Sequence, residues 1–190
     1  MSTITVVKKN NLVCMACESL TSMGMTKLSD EFQENQTKIF EWGESIIGLV
    51  GYVALKVIIK DIIFNEKETP NFSDEISIFK FFNKLHSKLK KKYFLNTKEG
   101  DDDPVESSQY EILIANKHGI FGIYSFREVH QFKKFWAFGS GSDYSLGAMD
   151  ALYNYENLDA EQIAVAGVKA GIKFDNSSGG KILSKTIKLI

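Results

Sequence analysis

The chain has 190 residues, 44 % of them hydrophobic and 25 % charged, with 2 prolines and 2 cysteines. That length suits one domain with its own core, and the composition excludes a disordered chain, a fibrous one and a disulfide-built secreted scaffold. The 23 basic and 24 acidic side chains nearly cancel, at a net charge of -1, so nothing global draws the protein to nucleic acid or an anionic membrane. At the N-terminus MSTITVV runs directly into Lys8, Lys9, Asn10 and Asn11, which is no signal sequence. The longest apolar run is broken by Lys56, Lys60 and Asp61, short of the roughly 20 residues a bilayer span needs. No membrane segment is expected, and the cytoplasm is the default location.

Residues 2–9 read as a strand, Asn10-Asn11 as a hairpin turn, and residues 12–19 (LVCMACES) as the returning strand. Residues 45–50 (SIIGLV) form another strand that ends at Gly51. YVALKVIIKDII then reads as a helix, although Val53, Leu55, Val57, Ile58, Ile62 and Ile63 mix helical spacing with β-branched content. After Pro70, Ser73 is placed to cap a helix with an acidic first turn (Asp74, Glu75) and a basic last turn (Lys88 to Lys92). Its expected buried stripe is Ile76, Phe79, Leu85 and Leu89. GDDDPVESS at 100–108 is a polar connector, after which YEILIANK, GIFGIYSF, REVHQF and FWAFGSG read as four short strands.

Two helices follow. The first starts near Ser142 with Leu146, Met149, Ala151 and Leu152, and the second is capped by Asp159 with Ile163, Ala166, Val168 and Ile172. KILSKTIKLI closes the chain as a strand. This order predicts an α+β fold, a four-layer α-β-β-α sandwich of two antiparallel sheets in a single domain over 1–190.

Several features invite chemistry that their context does not support. Cys14 and Cys17 have the spacing of a metal or redox pair, but no second pair exists, and residues three apart on a strand face opposite ways. Packing residues are the better reading, and His86, His118 and His130 are scattered. The lysines at 88–92 sit at a helix end and read as a solvated face. Gly139-Ser140-Gly141-Ser142 lacks the lysine of a phosphate-binding loop and the six-residue dinucleotide pattern. No metal or organic cofactor is implied.

Ser2 is different because of its position. Serine is a small second residue of the kind that permits removal of the initiator methionine, leaving an α-amine beside a hydroxyl. An amine with a pKa near 8 can take the proton of its own residue's hydroxyl, so nucleophile and base come together.

STIT with its hairpin, Glu18, TKIF with Lys38, IIGLVG with Gly48 and Gly51, AFGSGS and AGIKFDNSSGG together resemble the proteasome β-type peptidases. These include HslV and the smaller bacterial proteasome homologues. The resemblance spans nearly the whole chain, and Asp175-Asn176-Ser177-Ser178-Gly179-Gly180 looks like the family's Asp-x-x-Ser-Gly motif.

It implies an N-terminal nucleophile (Ntn) peptidase with the four-layer sandwich as its fold. Ser2 stands where the family has threonine, and Glu18 stands for the carboxylate that orients the conserved lysine, here Lys38. Gly48 is expected to supply the oxyanion-hole N–H, although the interval from Lys38 is a few residues shorter than usual. Ser140, Asp175 and Ser178 are expected to hold the amine and the attacking water. Thr21, Phe40, Ile46 and Val50 are expected to line the substrate pocket and select an apolar side chain. The implied reaction is hydrolysis of polypeptide substrates inside stacked hexameric or heptameric rings of this subunit, with no propeptide before Ser2. An unfolding ATPase stays open as a partner, as do two other readings, an inactive ring-forming scaffold and a small-molecule Ntn amidase.

Overall fold

The computed structural model describes residues 2–29, 31–34, 37–65 and 70–189. β1 (Ile4–Lys9) passes through Asn10 and Asn11, at φ 50° and 62°, into β2 (Leu12–Glu18). Two consecutive left-handed residues make the tight turn whose twist matches its strands, which explains the asparagines. A small hairpin follows, β3 (Thr21–Met23) with β4 (Thr26–Leu28), and then β5 (Ile39–Trp42) and β6 (Ser45–Gly51). Two helices, α1 (Val53–Asn65) and α2 (Glu75–Tyr93), lead to β7 (Tyr110–Asn116), β8 (Gly119–Ile123), β9 (Val129–Phe132) and β10 (Phe135–Phe138). The chain ends with α3 (Ser142–Tyr153), α4 (Ala160–Phe174) and β11 (Ile182–Lys188).

The strands form two larger sheets, in the orders β10-β1-β2-β11 and β5-β6-β7-β8-β9, with every pairing antiparallel. The pleat then sorts the core into three layers. Ile4 and Val6 of β1 and Val13, Met15 and Cys17 of β2 meet Ile46, Leu113 and Ile120 between the sheets. Val7, Cys14 and Ala16 face outward onto Met149 of α3 and Ile163, Ala164 and Val168 of α4. On the other side Ile47, Leu49, Ile112 and Phe121 pack against Leu55 and Ile59 of α1 and Ile78 and Phe82 of α2. The expected α-β-β-α sandwich is therefore the observed one.

Three details differ from the sequence reading. Asp74, not Ser73, is the N-cap of α2, its carboxylate accepting from Ser77 N at 2.9 Å. The buried stripe of α2 is Ile78, Phe82, Leu85, His86 and Leu89, while Ile76 is 63 % and Phe79 44 % exposed. The helix is rotated because Phe82 stacks with Phe72, and Phe81 meets Trp42 edge to face, a cluster that outweighs the alternative stripe. On α3 Met149 is buried but Ala151 is exposed. The short strands β3, β4 and β5 are too brief for a legible period.

Glycines bring α3, α4 and the β10–α3 turn onto the first strand. A Cβ at Gly141 would lie 2.0 Å from Thr3 Oγ1, and one at Gly171 2.5 Å from the same atom. Gly139, at φ +99°, sits so close that a Cβ would lie 2.0 Å from the Ser2 carbonyl oxygen. The N-terminal end of β1 is thus clasped by backbone, and α4 runs past it on a capping box of Asp159 and Gln162.

Candidate active site

Alternation along β1 decides which way the N-terminal residues face. Ser2 shares the parity of Ile4 and Val6 and looks toward the second sheet, whereas Thr3 shares that of Thr5 and Val7 and looks toward α4. Thr3 is fully buried, with Oγ1 2.6 Å from Ser178 Oγ. Ser2 is buried but borders a cavity of about 240 Å³.

Lys38 borders the same cavity from the residue preceding β5. Its Nζ is ion-paired with Glu18, whose side chain has no exposed surface. The Glu18 carboxylate also accepts from three backbone N–H groups, Thr3 at 3.1 Å, Leu20 at 2.7 Å and Gly179 at 3.2 Å. A buried carboxylate with this many donors is fully satisfied and holds its lysine in place. Glu18 thereby ties together the ends of β1 and β2, the approach to β5 and the loop before β11.

Asp175 caps the end of α4 and gathers the remaining hydroxyls. Ser140 Oγ donates to its Oδ2 at 2.6 Å, Ser178 Oγ donates to the same oxygen at 2.7 Å, and Ser177 N donates to Oδ1 at 3.2 Å. Burial alone would raise this carboxyl, but the three donors overcome it and hold its pKa below the ordinary aspartate value. Ser140 Oγ lies 3.5 Å from the Ser2 carbonyl oxygen, so the Asp175 group adjoins Ser2. Ser2, Glu18, Lys38, Ser140, Asp175 and Ser178 are all brought to one end of the sandwich.

Gly48 is not there. Its Cα faces the inter-sheet core, where a Cβ would lie 2.8 Å from Met15 Sδ and 2.9 Å from Ile4 Cγ2. In register it lies opposite Leu113 of β7. Leu49 N donates to Lys38 O across the β5 edge, at 3.0 Å, so by strand alternation Gly48 N–H points to the β7 side and cannot reach Ser2. Gly51 has the parity of Leu49, lies just past the end of β5, and borders the cavity with Ser2. It has φ +151°, and a Cβ there would lie 3.0 Å from Gln109 O and 3.1 Å from Leu55 Cδ1, so only glycine fits. The same parity corrects the expected pocket. Thr21 borders the cavity, but Ile46 and Val50 face the inter-sheet core and Phe40 is buried in the layer beneath α1 and α2. Leu49, Tyr52, Val53, Lys56, Val57 and Lys60 form the wall instead. An i, i+3/4 count along α1 from Val53 was the available signal for this wall.

The other candidates resolve as packing. Cys14 and Cys17 are fully buried on opposite faces of β2, and burial pushes the Cys14 thiol up to about 11. His86 joins α2 to the connector through Ser108 Oγ at 2.9 Å and Glu106 at 3.2 Å. Among the described residues no group of His, Cys, Asp and Glu is placed to hold a metal ion, and no helix is long and apolar enough to cross a membrane.

Comparison with known proteins agrees with this architecture. No curated protein among those compared matches the chain. Two solved structures of BPH from Thiobacillus denitrificans are 38 % identical to it. One, in complex with epoxomicin, has a TM-score of 0.93 and covers 99 % of each chain. The other has a TM-score of 0.94 and covers 99 % of this chain and 98 % of that one. The eukaryotic HslV of Trypanosoma brucei, 16 % identical over 98 % of this chain and 99 % of that one at a TM-score of 0.69, shares the fold. The sequence profile described as "Proteasome subunit" matches residues 1–187, and the chain belongs to the proteasome subunit family.

Proposed function

We propose that the protein is a peptidase of the N-terminal nucleophile type, with Ser2 as the attacking residue once Met1 is removed. Met1 lies outside the described residues, and its removal is part of the proposal. The observation that carries it is the shared cavity of Ser2 and a lysine fixed by a buried carboxylate. The alternation of β1 supports Ser2 over Thr3, which is sealed against Gly141, Gly171 and Ser178.

The reaction follows from the groups present. The neutral α-amine of Ser2 takes the hydroxyl proton while Oγ bonds to the scissile carbonyl carbon. Lys38, whose side chain borders the same cavity, lowers the cost of the developing alkoxide and favours the unprotonated amine. The tetrahedral oxyanion forms against the N–H of Gly51, a type of donor that typically contributes about 3 kcal/mol. Its collapse breaks the C–N bond, and the departing amine leaves with the proton held by the α-amine. Water then adds to the Ser2 ester, again losing a proton to the α-amine, and the acid product departs with Oγ reprotonated. The Asp175 group, through Ser140, keeps the N-terminal residue in register for both halves.

The test is incubation with epoxomicin, the compound held by one of the similar structures, followed by intact-mass measurement and peptide mapping. One adduct on Ser2 is expected, absent in Ser2→Ala. Label on another residue, or a mature chain that still begins with Met1, overturns the reading. The assembly expected for such a peptidase is a stacked ring of identical subunits that encloses the active sites, because an open peptidase would degrade its surroundings.

A further inference from the structure

Five non-glycine residues among those described have a positive φ. Asn10 and Asn11 make the β1–β2 turn, Phe94 closes α2 as its C-cap, and Arg127 lies in the tight turn between β8 and β9, where its N–H donates to Tyr124 O at 2.9 Å. Chain reversals and helix ends are ordinary places for left-handed backbone. Gln109, at φ 58°, is at neither, and leads straight into β7. A long side chain in that region is strained, and such strain persists only where the surroundings impose it.

The imposing contacts come from the connector between α2 and β7. Ser107 is fully buried, its Oγ accepts from Gln109 N at 2.9 Å, and its own N–H donates to Thr97 O at 2.8 Å. Gln109 Nε2 donates to Lys98 O at 3.0 Å and closes the connector on itself. Ser108 is also fully buried; its N–H donates to Ser125 O at 2.7 Å, and its Oγ accepts from Arg127 Nη1 at 3.1 Å and pairs with His86 Nδ1 at 2.9 Å. Turned in this way, Gln109 sets its carbonyl oxygen behind Gly51, 3.0 Å from where a Cβ would stand, with Leu55 of α1 and Tyr110 completing the contact. Gly51 lies opposite Tyr110 in register, at a position where strand alternation gives it no hydrogen bond to β7. The last bonded pair of that ladder is therefore Val50 with Glu111, and a ladder end opens readily unless something holds it.

We propose that Gln109 is a positioning residue for catalysis, its strained turn bracing the end of β6 so that the Gly51 N–H stays aimed into the cavity beside Ser2. The proposal rests on the reading of Ser2 as the nucleophile and Gly51 as the oxyanion donor. The planar Val50–Gly51 peptide carries both the carbonyl bonded to β7 and the N–H that points the other way, so whatever holds one holds the other. A donor that drifts still lets substrate bind but meets the tetrahedral oxyanion poorly. The loss falls on kcat and not on KM.

The experiment begins with Gln109→Gly, which adopts the same φ without strain and should unfold at nearly the wild-type temperature. Its kcat on a fluorogenic peptide is expected to fall about tenfold at unchanged KM, and that of Gln109→Glu, which has no N–H to give Lys98 O, likewise. A peptide aldehyde supplies the readout specific to the oxyanion. Ser2 Oγ bonds to the aldehyde carbon as the C=O π bond opens and the hydroxyl proton passes to the α-amine, so the adduct's oxyanion needs the same donor. Aldehyde affinity should fall in step with kcat/KM, while the corresponding peptide alcohol, which forms no bond, should bind both variants as it binds wild type. An unchanged kcat, a loss confined to KM, or equal weakening of aldehyde and alcohol overturns the proposal. Amide hydrogen exchange reads the brace whether or not Ser2 reacts. The Glu111 N–H, bonded to Val50 O, should exchange about tenfold faster in Gln109→Gly, with Leu113 unmoved. If no peptide is cleaved and epoxomicin does not label Ser2, the nucleophile reading fails and exchange alone decides the brace. Unchanged exchange at Glu111 overturns it in either case.

Discussion

Lys38 and Glu18 are the pair on which the site's electrostatics depend, and their surroundings separate activity from folding. Removing one partner of a buried pair ordinarily costs about 3–5 kcal/mol, because the other charge is stranded. Glu18 keeps three N–H donors when the lysine is gone, so the loss in Lys38→Ala should fall at the low end of that range. Its kcat should fall at least about a hundredfold, the scale of a lost electrostatic stabiliser of the transition state. Thermal unfolding and peptide hydrolysis measured side by side check this, and a variant that unfolds early yet cleaves normally contradicts it. Asp175 gives a pH signature of its own. Its folded pKa is depressed by the Ser140, Ser178 and Ser177 donors, so its stabilisation is complete above the ordinary aspartate value of 3.8 and is lost as pH falls through the lower folded value. Asp175→Asn should therefore lower the unfolding midpoint at pH 7, and the gap to wild type should close as the solution is acidified below 3.8. A gap that persists at the acid end would mean that the carboxylate's charge is not what holds the serines.

Strand parity is the physics that sequence pattern handled least well. The hairpin of β1 and β2, the four strands from β7 to β10 and the helices α3 and α4 were legible because turn residues, and the Asp159 cap of α4, punctuate them. Glu18, Lys38 and the Asp175 motif were legible through their resemblance to a family, and fall at one end of the sandwich. Gly48 and the pocket residues were not, because facing is fixed by a count from a register that only the β5–β6 pairing sets. The two glycines of β6 accordingly make opposite predictions. In Gly48→Ala the new methyl presses on Met15 and Ile4, and overpacking of that kind costs about 1–3 kcal/mol. In Gly51→Ala the strain falls at the edge of the cavity, where a re-aimed N–H should reduce kcat by about a hundredfold. Denaturant unfolding and steady-state kinetics on both variants distinguish these outcomes, and a kcat loss confined to Gly48→Ala would reverse the assignment. The helix α2 poses the same question of facing. Its acidic start and basic end fit either stripe, and the aromatic cluster around Phe72 chose Phe82. Phe82→Ala should cost about 3–5 kcal/mol and Ile76→Ala close to nothing by denaturant unfolding. Equal costs would mean that the helix is turned the other way.

At the scale of the molecule, several large apolar side chains stand on the surface. Phe64 is 90 % and Phe94 87 % exposed, and Tyr144 of α3 lies beside Phe174 of α4 on the outer helical layer, their ring centroids 5.5 Å apart and the planes tilted by 36°. Single exposed apolar residues are ordinary, but a paired aromatic face on the last helical layer is the kind of surface that neighbouring subunits cover. Light scattering on the purified protein should give a native mass that is a whole multiple of 21.4 kDa and matches stacked hexameric or heptameric rings. Phe174→Glu, which places a charge beside Tyr144, should shift that mass downward without lowering the helical content. A wild-type monomer that cleaves peptides would detach the chemistry of Ser2 from any ring, and a monomer that cleaves none would bring back the small-molecule amidase as the better account.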